Sequence, residues 1–268
     1  MYCTTSPIHL DRAKIHINCL IYMRGHTIMK VLMFLVMVSL ILSSQAHANE
    51  QLVFSTADSA LTPVNKRIVT EAYKRIGFKI QVERLPAARA LRISNKGDVD
   101  GELFRIADIV SDYPNLRMIP IPIYILEVRV FSKDVEFSVN GWESLKPYNI
   151  GIIRGVKHAE LGTKGMNRHI SVNYNHLFQM LDKKRVDIVV AARLSGLESL
   201  AKLNLKEIKM LDHPVATIPI YHFLHKKHER LIPKLTEVLR RMEKEGTLQK
   251  IRHEEELNLL NATHHTDK

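Results

Sequence analysis

Two arginines end two similar stretches of the sequence. Arg105 follows the pattern at 91–104, and Arg193 follows the pattern at 181–192. Each stretch begins as the end of a helix pattern, passes through a polar turn into Val-Asp, and continues as an apolar run typical of a buried strand. An arginine guanidinium binds a carboxylate or phosphate through two parallel, charge-assisted hydrogen bonds. The repeat therefore predicts two similar lobes, with arginines at strand ends that face a ligand cleft.

Arg105 is the leading candidate for contact with an anionic ligand. It ends the first predicted strand, and its structural alternative is a surface ion pair with Glu102 or Asp108. Glu102 would either meet a ligand ammonium or neutralise Arg105, because both roles use the same geometry. Arg89 lies on the helix that leads into this strand and can reach the same space, although an arginine on a helix is commonly solvated.

The segment 154–157 supplies a second group of candidates. Arg154 and Gly155 stand between a predicted strand and a predicted helix, where glycine lets the backbone approach a ligand and free N–H groups favour an anion. Asp58 and Tyr124 are predicted at the edges of the cleft, with Tyr124 stacked on a flat ligand. The structural alternatives are an ordinary turn at 154–157, a loop cap at Asp58 and core packing at Tyr124.

The sequence offers little for catalysis or metal binding. It has no Gly-x-Ser-x-Gly elbow, no phosphate-binding glycine loop with lysine and no His-Glu-x-x-His motif. His222, His225 and His228 are spaced three apart, but the stretch begins as a strand, and the neighbouring Lys226 and Lys227 would repel a cation. We expect no catalytic residue, no metal and no cofactor.

The N-terminal segment predicts export. A lysine-led apolar run at 31–42 is followed by Ala46-His47-Ala48, the ending of a cleavable signal peptide. The run is shorter than the roughly 20 apolar residues of a membrane-spanning helix, although an uncleaved anchor is the competing interpretation. We predict cleavage after Ala48, a signal peptide with an upstream extension at 1–48, and an exported protein.

Composition narrows the choice of partners. The two cysteines, Cys3 and Cys19, precede the predicted cleavage site, so the exported chain would hold neither a disulfide nor a thiol nucleophile. The net charge of +11 is compatible with anionic solutes, a membrane surface or nucleic acid. The basic clusters lie at helix ends or on polar helix faces without interleaved aromatics, and export also argues against nucleic acid. We expect a small-molecule solute, no nucleic acid and a monomer.

Strand and helix patterns alternate along the exported chain. Strands are predicted at 51–56, 78–82, 99–103, 117–122, 123–132, 149–153, 170–174, 186–191, 208–211 and 221–225, and helices at 63–76, 86–94, 142–145, 158–165, 176–183, 196–203, 231–244 and 247–260. The strands at 123–132 and 221–225 are interpreted as two crossings between lobes. This predicts an α/β fold with a discontinuous first lobe (49–132 plus 222–268), a second lobe (133–221) and a cleft between them.

Several motifs, in this order, resemble those of the solute-binding protein family 3. They are Arg89-Ala90-Leu91 before the Lys-Gly-Asp-Val-Asp-Gly-Glu run at 96–102, the segments 151–155, 180–187 and 245–251, and the signal peptide. The resemblance spans nearly all of 50–255. It implies the two-lobed type II periplasmic binding protein fold and a relation to the polar amino acid receptors of ABC transporters. The strand end at 100–105 departs from the Thr-rich strand end of those receptors, which indicates a divergent subgroup.

Residues and resemblance together predict a periplasmic solute-binding protein. It would close its lobes around a small polar solute, anionic or zwitterionic and amino-acid-like, and the closed state would be read by an ABC-type permease or a sensor protein in the membrane. One alternative is a periplasmic enzyme on the same fold, dehydratase-like on a small organic acid, with Glu102 as general acid. Another is a basic protein that adheres to anionic lipid.

Overall fold

Strands and helices alternate through residues 51–264, the part of the chain that the computed structural model describes. The predicted signal peptide at 1–48 lies outside the described residues. Across residues 51–264, every helix is too short or too polar to cross a bilayer. Ten strands form one sheet in this part of the chain: β1 (Gln51–Ala57), β2 (Lys79–Leu85), β3 (Gly101–Ile106), β4 (Leu116–Met118), β5 (Tyr124–Ser132), β6 (Ile150–Ile153), β7 (Arg168–Ser171), β8 (Ile188–Ala192), β9 (Lys209–Met210) and β10 (Ala216–His225).

The strand order divides the sheet into two parallel groups joined by an antiparallel pair. The order is β2-β1-β3-β10-β5-β8-β6-β7, with β4 also paired to β10 and β9 to β5. Strands β2, β1 and β3 run parallel to one another, as do β8, β6 and β7. The long strands β5 and β10 pair antiparallel between these groups, at the place where the sequence predicts the two crossings. The lobe boundaries at 132 and 222 stay predictions.

Helices α1 to α7 cover the sheet. They are α1 (Thr62–Lys74), α2 (Ala87–Lys96), α3 (Lys157–Gly162), α4 (Tyr174–Asp182), α5 (Arg193–Leu203), α6 (Ile232–Lys244) and α7 (Thr247–His264), and short 3-10 turns occupy Ala107–Ser111, Trp142–Leu145 and Lys226–Leu231. Pro63 at the start of α1 suits a helix N-terminus, and Gly97 ends α2 with φ of 89°, a conformation that glycine adopts without strain. The terminal helix α7 contacts both α1 and α5.

Most predicted elements are present, with shifted boundaries. The largest difference is β10, which begins at Ala216 rather than at residue 221 and includes Pro219. Proline lacks the N–H that a strand donates, so Pro219 makes residues 216–220 an unfavourable strand by sequence alone. The predicted strand at 170–174 ends at Ser171, because Asn173 caps α4 by accepting a hydrogen bond from the His176 N–H at 2.8 Å.

Two aspartates anchor the repeated segments in the same way. Asp100 Oδ2 accepts a hydrogen bond from the Val53 N–H at 2.8 Å, and the Asp100 N–H donates back to the Val53 carbonyl at 2.7 Å. Asp187 Oδ2 accepts from the Asn149 N–H at 2.8 Å, and the Asp187 N–H donates to the Asn149 carbonyl at 2.9 Å. In each case the Val-Asp turn is thereby fixed to the chain at or beside the neighbouring parallel strand, β1 or β6. The sequence repeat therefore corresponds to a structural repeat.

Candidate functional site

A cavity of about 550 Å³ lies where the ends of β1, β2, β3 and β8 meet the beginnings of α3 and α4. Its volume suits a small organic molecule. Its apolar lining includes Phe104, Leu126, Val156 and Ala192. Polar side chains line the rest of the wall: Asp58, Ser59, Arg84, Arg105, Lys157, His158, Asn173, Tyr174, Asn175, Glu198, Ser199 and Lys202. An apolar pocket with a few convergent polar groups is typical of a small-molecule site.

Arg105 is the buried cation of this wall. Its side chain is only 8% exposed, and Nη2 lies 2.7 Å from Oε1 of Glu102 and donates a hydrogen bond to the Ala87 carbonyl at 3.2 Å. Within residues 51–264, Nε of Arg105 is buried without a hydrogen-bond partner. A buried donor left unpaired costs about 1–3 kcal/mol, so such atoms are rare in folded proteins unless a ligand or water meets them.

Glu102 is the buried ion-pair partner of Arg105. Its side chain is fully buried, and Oε2 accepts hydrogen bonds from Ser55 Oγ at 2.8 Å and Ser94 Oγ at 3.2 Å. Burial raises the pKa of Glu102, although Arg105 and the two serine hydroxyls act in the opposite direction. Glu102 is not among the cavity-lining residues, so in this arrangement it neutralises Arg105 and does not face the cavity.

His158, on α3, is a second cavity-lining residue with a buried side-chain nitrogen. Its Nε2 is buried and has no hydrogen-bond partner in the described part of the chain. Burial, and next the nearby positive charge of Arg105, lower the pKa of His158 to about 4. The imidazole is therefore neutral at pH 7. Arg105 and His158 thus both line the cavity, and each has one buried nitrogen atom without a hydrogen-bond partner in the described residues.

The other charged groups of the cavity wall are paired. Lys157 Nζ lies 3.1 Å from Oδ2 of Asp112 and 3.3 Å from Oε2 of Glu160, and 5.6 Å from the ring centroid of Tyr113. Lys202 pairs with Glu198 at 3.0 Å on α5, and Arg84 pairs with Asp58 at 3.5 Å. Tyr174 contributes a neutral hydroxyl, since burial raises its pKa to about 12.

Gly155 contacts a distant part of the chain. It has φ of +79°, and a Cβ atom on it would lie 2.3 Å from the backbone nitrogen of Ala88, at the start of α2. Its N–H donates to Oε1 of Glu160 at 2.6 Å. The segment 154–157 and α2 therefore meet at a distance that only glycine permits. Gly155 does not line the cavity, and its predicted ligand contact stays a prediction.

The remaining predicted contacts lie elsewhere. Arg89 and Arg154 are exposed and are not among the cavity-lining residues. Arg193 and Tyr124 line a second pocket of about 110 Å³. There Arg193 pairs with Glu127 at 2.8 Å and Glu256 at 3.1 Å, and the Tyr124 hydroxyl donates to Glu256 at 2.5 Å. Of the eight predicted site residues, the structure thus brings Arg105 and Asp58 to the large cavity, with Glu102 directly behind Arg105.

Sequence reasoning missed His158 and Tyr174. His158 directly follows the segment 154–157 that the sequence singled out, but nothing in the sequence distinguished it from an exposed histidine. Tyr174 stood at the end of a predicted strand, whereas it is the first residue of α4. The asparagine cap immediately before it was the available signal. No group of three or more potential metal ligands lies together within residues 51–264.

Known proteins resemble the chain more in structure than in sequence. No family model matches it. An uncharacterized protein of Shewanella oneidensis is 26% identical over 195 residues, which are 70% of this chain and 74% of that protein. An ancestral arginine-binding protein bound to arginine matches with a TM-score of 0.63 and 19% identity, over 78% of this chain and 99% of that chain. A histidine kinase sensor domain with similarity to periplasmic binding proteins matches with a TM-score of 0.64 and 15% identity, over 77% and 96%.

These likenesses define the class of fold. The chain has the α/β fold of the type II periplasmic binding proteins, which confirms the fold predicted from the sequence. Membership of solute-binding protein family 3 stays a prediction, because sequence identity to the solved structures is low.

Proposed function

We propose that this protein is a periplasmic receptor that encloses one small polar solute in the cavity beside Arg105. One observation carries the proposal: Arg105 and His158 both line one cavity of about 550 Å³, and each has a buried nitrogen, Nε and Nε2 respectively, without a hydrogen-bond partner within residues 51–264. A solute with acceptor oxygens would satisfy the guanidinium and offset the cost of burying it. The ligand is anionic or zwitterionic and amino-acid-like.

The contacts around the cavity support enclosure of the solute. Lys157 reaches Asp112 and Tyr113, and Gly155 touches Ala88, so the segment beginning at 154 packs against residues far before it in the sequence. With lobes at 49–132 plus 222–268 and at 133–221, these contacts join one lobe to the other. Binding would stabilise this closed arrangement through contacts from both lobes.

The membrane partner of such a receptor would bind the closed state selectively. Similar structures include a protein named for arginine binding and a sensor domain of a histidine kinase, which supports either a transport or a sensing role. We propose that the protein is a monomer, exported by a signal peptide cleaved after Ala48, and that an ABC-type permease or a sensor protein is its membrane partner. The strand end at 100–105 departs from the Thr-rich strand end of the polar amino acid receptors, so we expect a solute that differs from their usual amino acid ligands.

A thermal-shift screen tests the receptor function. The protein is heated with amino acids, dicarboxylates, small peptides and sugar acids in turn. A solute at 100 times its dissociation constant adds about 2.7 kcal/mol of stability, which appears as a clear rise in Tm. We expect at least one carboxylate-bearing compound to raise Tm in a concentration-dependent way. A panel in which no compound changes Tm would contradict the proposal.

A further inference from the structure

The charges beside the cavity already cancel before any solute is considered. Arg105 carries one positive charge, and Glu102 lies 2.7 Å from it with its own side chain fully buried. Ser55 Oγ and Ser94 Oγ also lie within hydrogen-bond distance of Glu102, and the nearby Arg105 favours its ionised form against the effect of burial. The second unpartnered group, His158, is neutral at pH 7. A buried carboxylate entering this wall would therefore bring a negative charge that nothing balances, which is costly at low dielectric.

The neighbouring charged groups do not supply the missing positive charge. The titratable groups that face the cavity from the surrounding elements are Asp58 after β1, Arg84 on β2, Arg105 on β3, Lys157 on α3 itself, Tyr174 on α4, and Glu198 and Lys202 on α5. Lys157 lies between Asp112 and Glu160, Lys202 pairs with Glu198, and Arg84 pairs with Asp58. Each cation other than Arg105 therefore has an acidic partner of its own.

We propose, on the basis of the receptor function above, that the solute carries a carboxylate bound between Arg105 and His158, and that His158 takes up one proton as this carboxylate binds. The bound imidazolium would donate a hydrogen bond from Nε2 to one carboxylate oxygen, while Arg105 donates from Nε. The only covalent bond formed is the imidazole N–H bond, and its proton comes from solvent. The ligand class is thereby narrowed to carboxylates that are captured together with a proton.

The proposal predicts how affinity depends on pH. A carboxylate beside His158 favours the charged imidazole, so the pKa of His158 rises from about 4 when the solute binds. Between the free and the bound pKa, the bound state holds one more proton than the free state. Affinity therefore falls as pH rises through this range, by up to about tenfold per pH unit.

His222 provides an internal control. Burial lowers its pKa to about 4 as well, but its Nε2 lies 3.1 Å from the Tyr73 hydroxyl and its Nδ1 lies 3.0 Å from the Leu103 carbonyl. Both nitrogens are thus satisfied by the protein, and His222 does not line the cavity. A change in the pKa of His158 without a change in the pKa of His222 is therefore specific to the cavity.

Histidine NMR with acetate as the minimal carboxylate tests the proposal. The imidazole resonances are titrated with pH in acetate, in the uncharged analogue acetamide and in chloride at equal ionic strength, and the His158 signal is assigned by its loss in His158→Gln. We expect acetate to raise the pKa of His158 by about one unit or more and to leave His222 unchanged, whereas acetamide and chloride change neither. A His158 pKa that acetate leaves unmoved, or that acetamide raises equally, would overturn the proposal.

Two further readouts separate this proposal from the receptor function. Calorimetry of the best panel compound, at a pH between the free and the bound pKa of His158 and in buffers of different ionisation enthalpy, should show net proton uptake by the wild type and none by His158→Gln. If panel compounds raise Tm while His158 remains neutral and no proton is taken up, the receptor function stands and proton capture is wrong. If neither acetate nor any panel compound has an effect, both proposals fail.

Discussion

The two halves of the sequence repeat begin alike and end differently. Asp100 and Asp187 each accept a backbone N–H at 2.8 Å from the chain of a neighbouring strand. Counted from these aspartates, Arg105 comes five residues later and Arg193 six. The residue in register with Arg105 is therefore Ala192, which also lines the large cavity. Consecutive side chains of an extended chain point in different directions, so the shift of one residue directs Arg193 elsewhere.

The two repeated segments therefore place their arginines in different surroundings. In the first half, Arg105 is buried against Glu102 and faces the cavity. In the second half, Arg193 is partly exposed and joins Glu127 on β5 to Glu256 on the terminal helix. One arginine lines the cavity, and the other links elements of the fold. The cavity thus receives its buried charge from one half of the repeat and a small apolar side chain from the other.

The largest effect is expected from removing the charge behind Arg105. Glu102→Gln leaves the Arg105 guanidinium buried without a counter-charge, and breaking a buried ion pair in this way costs about 3–5 kcal/mol. Glu127→Gln removes a partner of Arg193 at a partly exposed site and should cost less than about 1 kcal/mol. Urea unfolding of both variants measures the two losses. Equal losses would contradict the distinction between the two arginines.

The next largest effect is expected from disturbing the contact between Gly155 and Ala88. Gly155→Ala places a Cβ 2.3 Å from the backbone of Ala88, whereas Gly165→Ala has nothing within 4 Å and a nearly identical φ of +81°. Both variants carry the strain of a positive φ, but only the first disturbs the contact with α2. We expect Gly155→Ala to bind the best panel compound about tenfold more weakly than Gly165→Ala does, or about 1.4 kcal/mol. Similar affinities would show that the contact does not support binding.

The smallest effect is expected at the two anchoring aspartates that both halves of the repeat share. Asp100→Asn and Asp187→Asn each weaken one anchoring hydrogen bond, so each should lower the unfolding free energy by about 1 kcal/mol at neutral pH. Burial alone would raise the pKa of Asp100, but Lys227, the Val53 N–H and His228 together lower it. A lowered pKa contributes stability above about pH 4 that is lost as pH falls through the folded value. Asp100→Asn should therefore flatten the acid side of the stability profile, as urea unfolding at several pH values would show.

The sequence predicted the order of strands and helices and the position of Arg105 near the end of a strand, because both depend on local periodicity and on a short repeated motif. It did not predict that Arg193 would lie outside the cavity. The shift of one residue matters only when the end of β8 is known, and element boundaries are the least certain part of a sequence-based assignment. It also missed His158, because the burial of its Nε2 results from packing between segments distant in the sequence.

A comparison of the two arginines in ligand binding tests the central claim most directly. Arg105→Lys keeps a positive charge beside Glu102 but loses the planar donor fork, and Arg193→Lys makes the same change in the other half of the repeat. The rise in Tm caused by the best carboxylate of the panel is measured for both variants and for the wild type. We predict that Arg105→Lys abolishes most of the rise and that Arg193→Lys preserves it. An unchanged response in Arg105→Lys, or an equal loss in both variants, would contradict the placement of the ligand site at Arg105.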